Sequence, residues 1–308
     1  LRPADGAVVD AVTYIPDSAG GTAEMVNVEP LSAGDGEDRF AFLAQYDAPL
    51  NNQAVAHYGG MDHLLGVVDT FGTVTAVRSW GLDLSDAEPT ESATALAVQN
   101  ASDGADARLY VGGRVPDGEG ADWHCGASGW TVDTPAEYGW FIAAFDYTGA
   151  LEPVARYYPV AGAYSHGGRG MVRDLMVLGN RVYAVGSYAG SLETAETTLL
   201  NDTNGTTDGM LLAFDTDLTM LQQARDAAVT DADGALTAIR HDGARLVVLG
   251  RTRGYLTLEC HGQEAGELMN ERFEEDIFDQ GRTQWFLGVL EWQEDLLSWQ
   301  KTVRRIND

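Results

Sequence analysis

The chain has 308 residues, 44% of them hydrophobic, which is enough to bury a large core. Its longest apolar runs, such as RLVVLG at 245–250, are far too short to span a bilayer. A formal charge of −28, from 47 Asp and Glu against 19 Lys and Arg, gives a surface that repels phosphates and anionic membranes, so nucleic-acid binding and membrane insertion are not expected.

Taken in chain order, the apolar segments fall into four recurring strand types, a to d. Residues 4–15, ADGAVVDAVTYI, read as a turn and a strand a with no strand d before it. Strand b follows as AEMVNVE (23–29), and returns as ATALAVQ (93–99), VRDLMVL (172–178) and ALTAIRH (235–241). Each is alternating or nearly continuous in Val, Leu, Ile and Ala, as strands are. Strand c opens on an arginine each time, at Arg39, Arg108, Arg181 and Arg245. Five positions on stands a small residue, Ala44, Gly113, Gly186 or Gly250, as expected where a strand bends or a backbone approaches closely.

Strand d ends on an acid, Asp69, Asp146, Asp215 or Glu291, and turns sharply into the next strand a. The corners DTFG and DYTG, with Asp first and Gly fourth, suit type I turns. Successive c-strand arginines are 69, 73 and 64 residues apart and successive acidic corners 69 to 77 apart, which is a repeat architecture. The b, c and d strands lack helical spacing and leave no room for alternating helices. They are apolar on both faces, as in Leu109, Tyr110 and Val111, which fits blades sandwiched between blades. The expected fold is therefore an all-β propeller of four four-stranded repeats, approximately 1–69, 70–146, 147–215 and 216–308, in a single domain. Five a strands accompany four each of b, c and d. The strand at 7–15 is expected to close the ring beside 296–303, to pair with another chain, or to belong to a longer protein.

The strands RLYVGGR and RVYAVGS, followed by YGWFIAAFDYTG and DGMLLAFDTD, resemble the bacterial β-propeller repeat (SBBP) family. The resemblance covers nearly the whole chain, and repeats one and four follow it less closely. It implies a propeller and an exported, bacterial, extracellular or cell-surface setting, and it carries no catalytic residues. No charged and apolar leader with a small-residue cleavage site opens the chain, so an exported protein would already have lost its signal.

Several residue groups are candidates for chemistry. DWHCG (122–126) and ECHG (259–262) place Cys125 and Cys260, each beside a histidine, in the c-to-d loops of repeats two and four. A Cys125–Cys260 disulfide, two free thiols, and a zinc site with His124 and His261 all stay open, although adjacent residues of an extended chain point apart and no Cys-x2-Cys is present. The acidic glycine-containing loops offer calcium candidates at Asp202, Asn204, Asp231 and Asp233, but without the glutamate that completes an EF-hand. These clusters are first of all turn formers. No other cofactor is expected.

Arg114 and Arg251 leave strand c at equivalent places, with Arg253 nearby, and could bind an anion or carboxylate in an otherwise acidic protein. Trp123, Trp130 and Tyr255 could stack on sugars. SHGGRG (165–170) has no helix after it to make a phosphate site, and no GxSxG elbow is present. In GELMNERFEEDIF (266–278) Met269, Phe273 and Ile277 fall four apart, which predicts one amphipathic helix. The reading that follows is an exported binding or structural module with a protein or glycan partner. The alternative is a carbohydrate-acting enzyme with acids at the channel mouth.

Overall fold

The computed structural model describes residues 21–50, 55–58, 60–82, 92–102, 106–115, 123–125, 139–157, 170–189, 191–193, 198–200, 207–230, 234–242, 245–252, 255–261, 263–264, 267–268, 273–275, 284–293 and 296–305. These residues form an all-β structure of four larger antiparallel sheets and two two-stranded ribbons. Sheet I runs β1 (Ala23–Ser32), β2 (Asp38–Tyr46), β3 (Asp62–Asp69), β4 (Val74–Leu82) and then β7 (Trp123–Cys125). Sheet II runs β5 (Ser92–Gln99), β6 (Ala107–Val115), β8 (Gly139–Tyr147) and β9 (Leu151–Tyr157). Sheet III orders β10 (Met171–Leu178), β11 (Arg181–Tyr188), β14 (Asp208–Asp215), β15 (Met220–Thr230), β18 (Tyr255–His261) and β21 (Phe273–Glu275). Sheet IV orders β16 (Gly234–His241), β17 (Arg245–Thr252), β22 (Gln284–Gln293) and β23 (Leu296–Arg305). The ribbons are β12 (Ser191–Glu193) with β13 (Thr198–Leu200), and β19 (Gln263–Glu264) with β20 (Glu267–Leu268).

Each sheet begins in the order b, c, d, a, so the four arginine-led segments all occupy its second place, in β2, β6, β11 and β17. Two compact units partition the chain, Leu1–Ala136 with Ala143–Ala155, and Glu137–Ile142 with Arg156–Asp308. Sheet I and most of sheet II belong to the first, sheets III and IV to the second. The strand expected at 7–15 lies outside the described residues.

The recurring charges mark the register, although the Arg39 and Arg245 guanidinium groups bond Asp35 and Asp242 of their own turns. Arg39 stands directly opposite Asp69, Arg181 opposite Asp215 and Arg245 opposite Glu291. In sheet II the Arg108 Nε lies 2.6 Å from the Asp146 carboxylate. Opposite charges facing across a strand pair favour that pairing over a slipped one. The acid also builds the corner: Asp69 Oδ1 accepts from the backbone N–H groups of Phe71 at 2.9 Å and Thr73 at 2.8 Å. Asp215 repeats this with Asp217 at 3.0 Å and Thr219 at 2.8 Å. The corner demands a left-handed residue, Gly72 at φ 87° in the first and Leu218 at φ 59° in the other. A non-glycine residue there costs about 1–2 kcal/mol. Leu218 is buried, and burying a leucine contributes about 1.5–3 kcal/mol, so its packing offsets the strain.

The small c-strand residues face a β-bulge that recurs in every sheet. Val26, Thr94, Arg173 and Thr237 are the extra residues of the b strands, set opposite Ala44, Gly113, Gly186 and Gly250. The bend expected from the sequence thus comes from the neighbouring strand. A bulge turns its backbone toward the partner, and a Cβ built on Gly186 would lie 1.9 Å from the Met171 carbonyl oxygen. At Gly250 the obstacle is the Phe286 ring, at 2.1 Å.

Within each unit consecutive sheets are joined through their b strands. The Ala101 N–H donates to the Ser32 carbonyl at 2.9 Å, and the Ser32 N–H to Asn100 Oδ1 at 2.8 Å. In the second unit Asp174 on β10 accepts from the Ile239 N–H of β16 at 2.9 Å. Sheets I and II also meet through buried side chains, with the Trp80 and Phe145 rings 5.7 Å apart and the Arg78 guanidinium donating to the Leu151 carbonyl.

The helix expected over 266–278 is not formed: Glu267–Leu268 and Phe273–Glu275 are strands. Residues four apart share a face of a strand as readily as a face of a helix, so the spacing of Met269, Phe273 and Ile277 suited both. The c-to-d connections of the second and fourth repeats likewise contain strands. β7 leaves sheet II to pair with β4 of sheet I, and β18 leaves sheet IV to pair with β15 of sheet III.

Candidate functional site

Two arginines of the second unit, Arg173 on β10 and Arg251 on β17, stand in different sheets. Arg173 occupies the bulge of β10, where the extra residue re-aims its side chain. Its Nε is buried and has no hydrogen-bond partner among the described residues. Burial, and then repulsion from Arg251, lower the Arg173 pKa. Arg251 itself is exposed on β17. Its cross-strand neighbours are Ala235 on one side and Trp285 on the other, and directly opposed residues share a sheet face. Trp285 is 36% exposed, so part of its indole meets solvent beside Arg251, whereas Ala235 is buried.

Of the residues singled out in the sequence, Arg251 stands between Ala235 and Trp285 in sheet IV, while Arg114 stands in sheet II opposite Ser92, in the other unit. Trp123 pairs in register with Leu82, and Tyr255 with Thr230, both on the added outer strands. Cys125 is opposite Trp80 on β7, and Cys260 opposite Arg225 on β18. Arg253, Trp130 and the calcium candidates Asp202, Asn204, Asp231 and Asp233 lie outside the described residues. Among the described residues no group of three or more His, Cys, Asp or Glu side chains is placed to hold a metal ion. Arg173 and Trp285 were not singled out, although Arg173 is the basic residue interrupting an apolar b strand in MVRDLMVL.

The first unit holds a polar cluster at the start of β3. Asp62 is fully buried, 2.6 Å from His57 Nδ1, and accepts from the Tyr58 N–H at 2.7 Å. Burial lowers the His57 pKa, which favours the uncharged ring beside Asp62. The Tyr46 hydroxyl donates to the Ala56 carbonyl, and the Ala56 N–H to Ser79 Oγ at 3.3 Å. These bonds fasten residues 55–58 over the end of the sheet, where Tyr46, Leu50 and Val55 join one apolar cluster. Gly81 allows the close approach, since a Cβ there would lie 1.7 Å from Asp62 Oδ1. The arrangement positions a loop.

Several exposed acids of this unit give a definite response to acid. Hydrogen bonds from Arg39 hold Asp35 down to about 2, and backbone N–H groups of Thr22 and Thr73 lower Asp47 and Asp69. A carboxyl whose folded pKa lies below its unfolded value contributes stability above that value and loses it as pH falls through the folded one. Thermal stability should accordingly decline between about pH 4 and pH 2. In Asp35→Asn the decline should be shallower; an unchanged melting profile across this window would count against these assignments.

No known protein-family profile matches the chain, and no curated protein is significantly similar to it.

Proposed function

We propose that the four sheets are blades of a β-propeller and that the chain is an exported, non-enzymatic binding or structural module of a bacterial cell surface or extracellular assembly. The observation that carries this reading is the repetition of one sheet plan. Order, bulge and arginine-to-acid register recur in all four sheets, and within each unit neighbouring sheets are joined through their b strands. In a propeller such joined b strands would be the innermost strands of the blades, an architecture that leaves only short, protected edges. The resemblance of the strand pattern to bacterial propeller repeats supports the same reading, as does an acidic surface unsuited to nucleic acid.

The purified chain should be retained on surface polysaccharide or on intact cells without releasing new reducing ends. Turnover of any polysaccharide in that assay would overturn the non-enzymatic reading in favour of a glycoside-cleaving enzyme, whose two carboxyl groups should then lie roughly 5–10 Å apart.

A further inference from the structure

We infer that copies of this chain associate head to tail, the open face of sheet IV in one copy packing on the open face of sheet I in the next. The inference rests on reading the sheets as blades, and it specifies the assembly they enter. Neighbouring residues of a strand point to opposite faces, so a sheet that is apolar on both sides has two faces to cover. One face of sheet I is covered: Ala41 and Leu43 are fully buried, and Arg39 of the same face lies over the Tyr147 ring of sheet II, 5.9 Å from its centroid. The other face is open. Met25 is 57% exposed, Val28 48% and Phe40 41%, and the pairs Met25 with Ala44, Val28 with Phe42 and Pro30 with Phe40 place all three on it. Isolated exposed apolar residues are ordinary, but these occupy places that the other three sheets bury. The residue after the c-strand arginine is fully buried as Leu109, Val182 and Leu246, and the second residue after the bulge is buried as Leu96, Leu175 and Ile239.

Sheet IV shows the converse. Leu246 and Val248 are fully buried on the face that carries Ile239. On the opposite face Val247, Leu249, Leu287 and Val289 are only half-buried, and Trp285 is exposed. The Val247 position is fully buried in the other sheets, as Ala41, Tyr110 and Tyr183. The open faces are therefore of opposite kinds, one on the first sheet and one on the last. The joint between sheets III and IV supplies the pattern for bringing them together: Asp174, on the same face of sheet III as Val185, bonds the Ile239 N–H of sheet IV. A second copy offers each open face its missing counterpart, whereas pairing sheet I with itself would leave sheet IV uncovered. Contact between two different patches closes into a ring of copies or continues as a filament.

The test is sedimentation velocity of the full chain over a range of concentrations, at low and at high salt. Growth beyond the monomer with concentration is expected, and it should be stronger at high salt, because each copy carries a formal charge of −28 and salt screens the repulsion. Phe40→Glu and Trp285→Glu should each weaken self-association by about tenfold or more while melting with the parent chain, since both side chains are exposed. Mixed together they should form a dimer that grows no further, because Phe40→Glu keeps an intact sheet IV face and Trp285→Glu an intact sheet I face. Should either variant melt below the parent, Val28→Glu and Arg251→Glu, also exposed, make the same comparison. A parent chain that stays monomeric throughout, or a mixture no more associated than either variant alone, would overturn the contact. If the chain assembles in this way yet is not retained on cells or surface polysaccharide, the contact stands and the binding reading falls. If it is retained there as a monomer, the contact falls and the binding reading stands.

Discussion

Gly186→Ala should destabilise the second unit by about 3 kcal/mol or more, seen as a shift in denaturant midpoint. The added Cβ would sit 1.9 Å from the Met171 carbonyl oxygen and 2.9 Å from its carbon, both backbone atoms. They cannot withdraw without disturbing the bulge that joins β10 to β11. Gly250→Ala, at the equivalent place in sheet IV, meets the Phe286 ring instead, and should cost less, about 1–3 kcal/mol. Shortening that ring in the double variant Gly250→Ala/Phe286→Leu should recover part of the loss, whereas no side-chain change can rescue Gly186→Ala. A change within about 0.5 kcal/mol at Gly186 is what an ordinary surface site would show, and it would refute the bulge geometry.

Asp174→Ala should be nearly as damaging, by about 2–4 kcal/mol, while Arg240→Ala changes stability by no more than about 1 kcal/mol. Asp174 is buried and accepts from the Leu175 N–H at 3.0 Å, the Ile239 N–H at 2.9 Å and Arg240 Nη1 at 2.6 Å. Its loss strands the buried Ile239 N–H at the junction of sheets III and IV. The Arg240 side chain is 68% exposed and water replaces its partner readily. Equilibrium unfolding of the two variants gives the comparison. Equal losses in both would mean that the ion pair, and not the backbone hydrogen bonds, holds the junction.

The sequence disclosed those features that repeat. Arg39, Arg108, Arg181 and Arg245 could be aligned by eye, and with them the small residues at Ala44, Gly113, Gly186 and Gly250. What made those positions small was hidden, because the bulge belongs to another strand and an extra residue merely shifts an alternation from one face to the other. Non-local pairing concealed β7 and β18 as well. YLTLECH alternates Leu256, Leu258 and Cys260 as a strand should, but nothing in it indicates that its partner is Ala224–Thr230, some thirty residues earlier. Arg251 was likewise visible where it leaves strand c, whereas its cross-strand neighbour Trp285 comes from a separate strand that only the fold sets beside it.

The travelling strands β7 and β18 also bear on how the molecule can fold. Each is encoded between the c and d strands of one repeat yet extends the sheet of the repeat before it. A nascent sheet I or III gains its outer pairing only after half of the following repeat has been synthesised. Loop closure of that length is slow compared with forming the local hairpins. The outer pairings of sheets I and III are therefore expected to form together with the sheets of the following repeats and not before them.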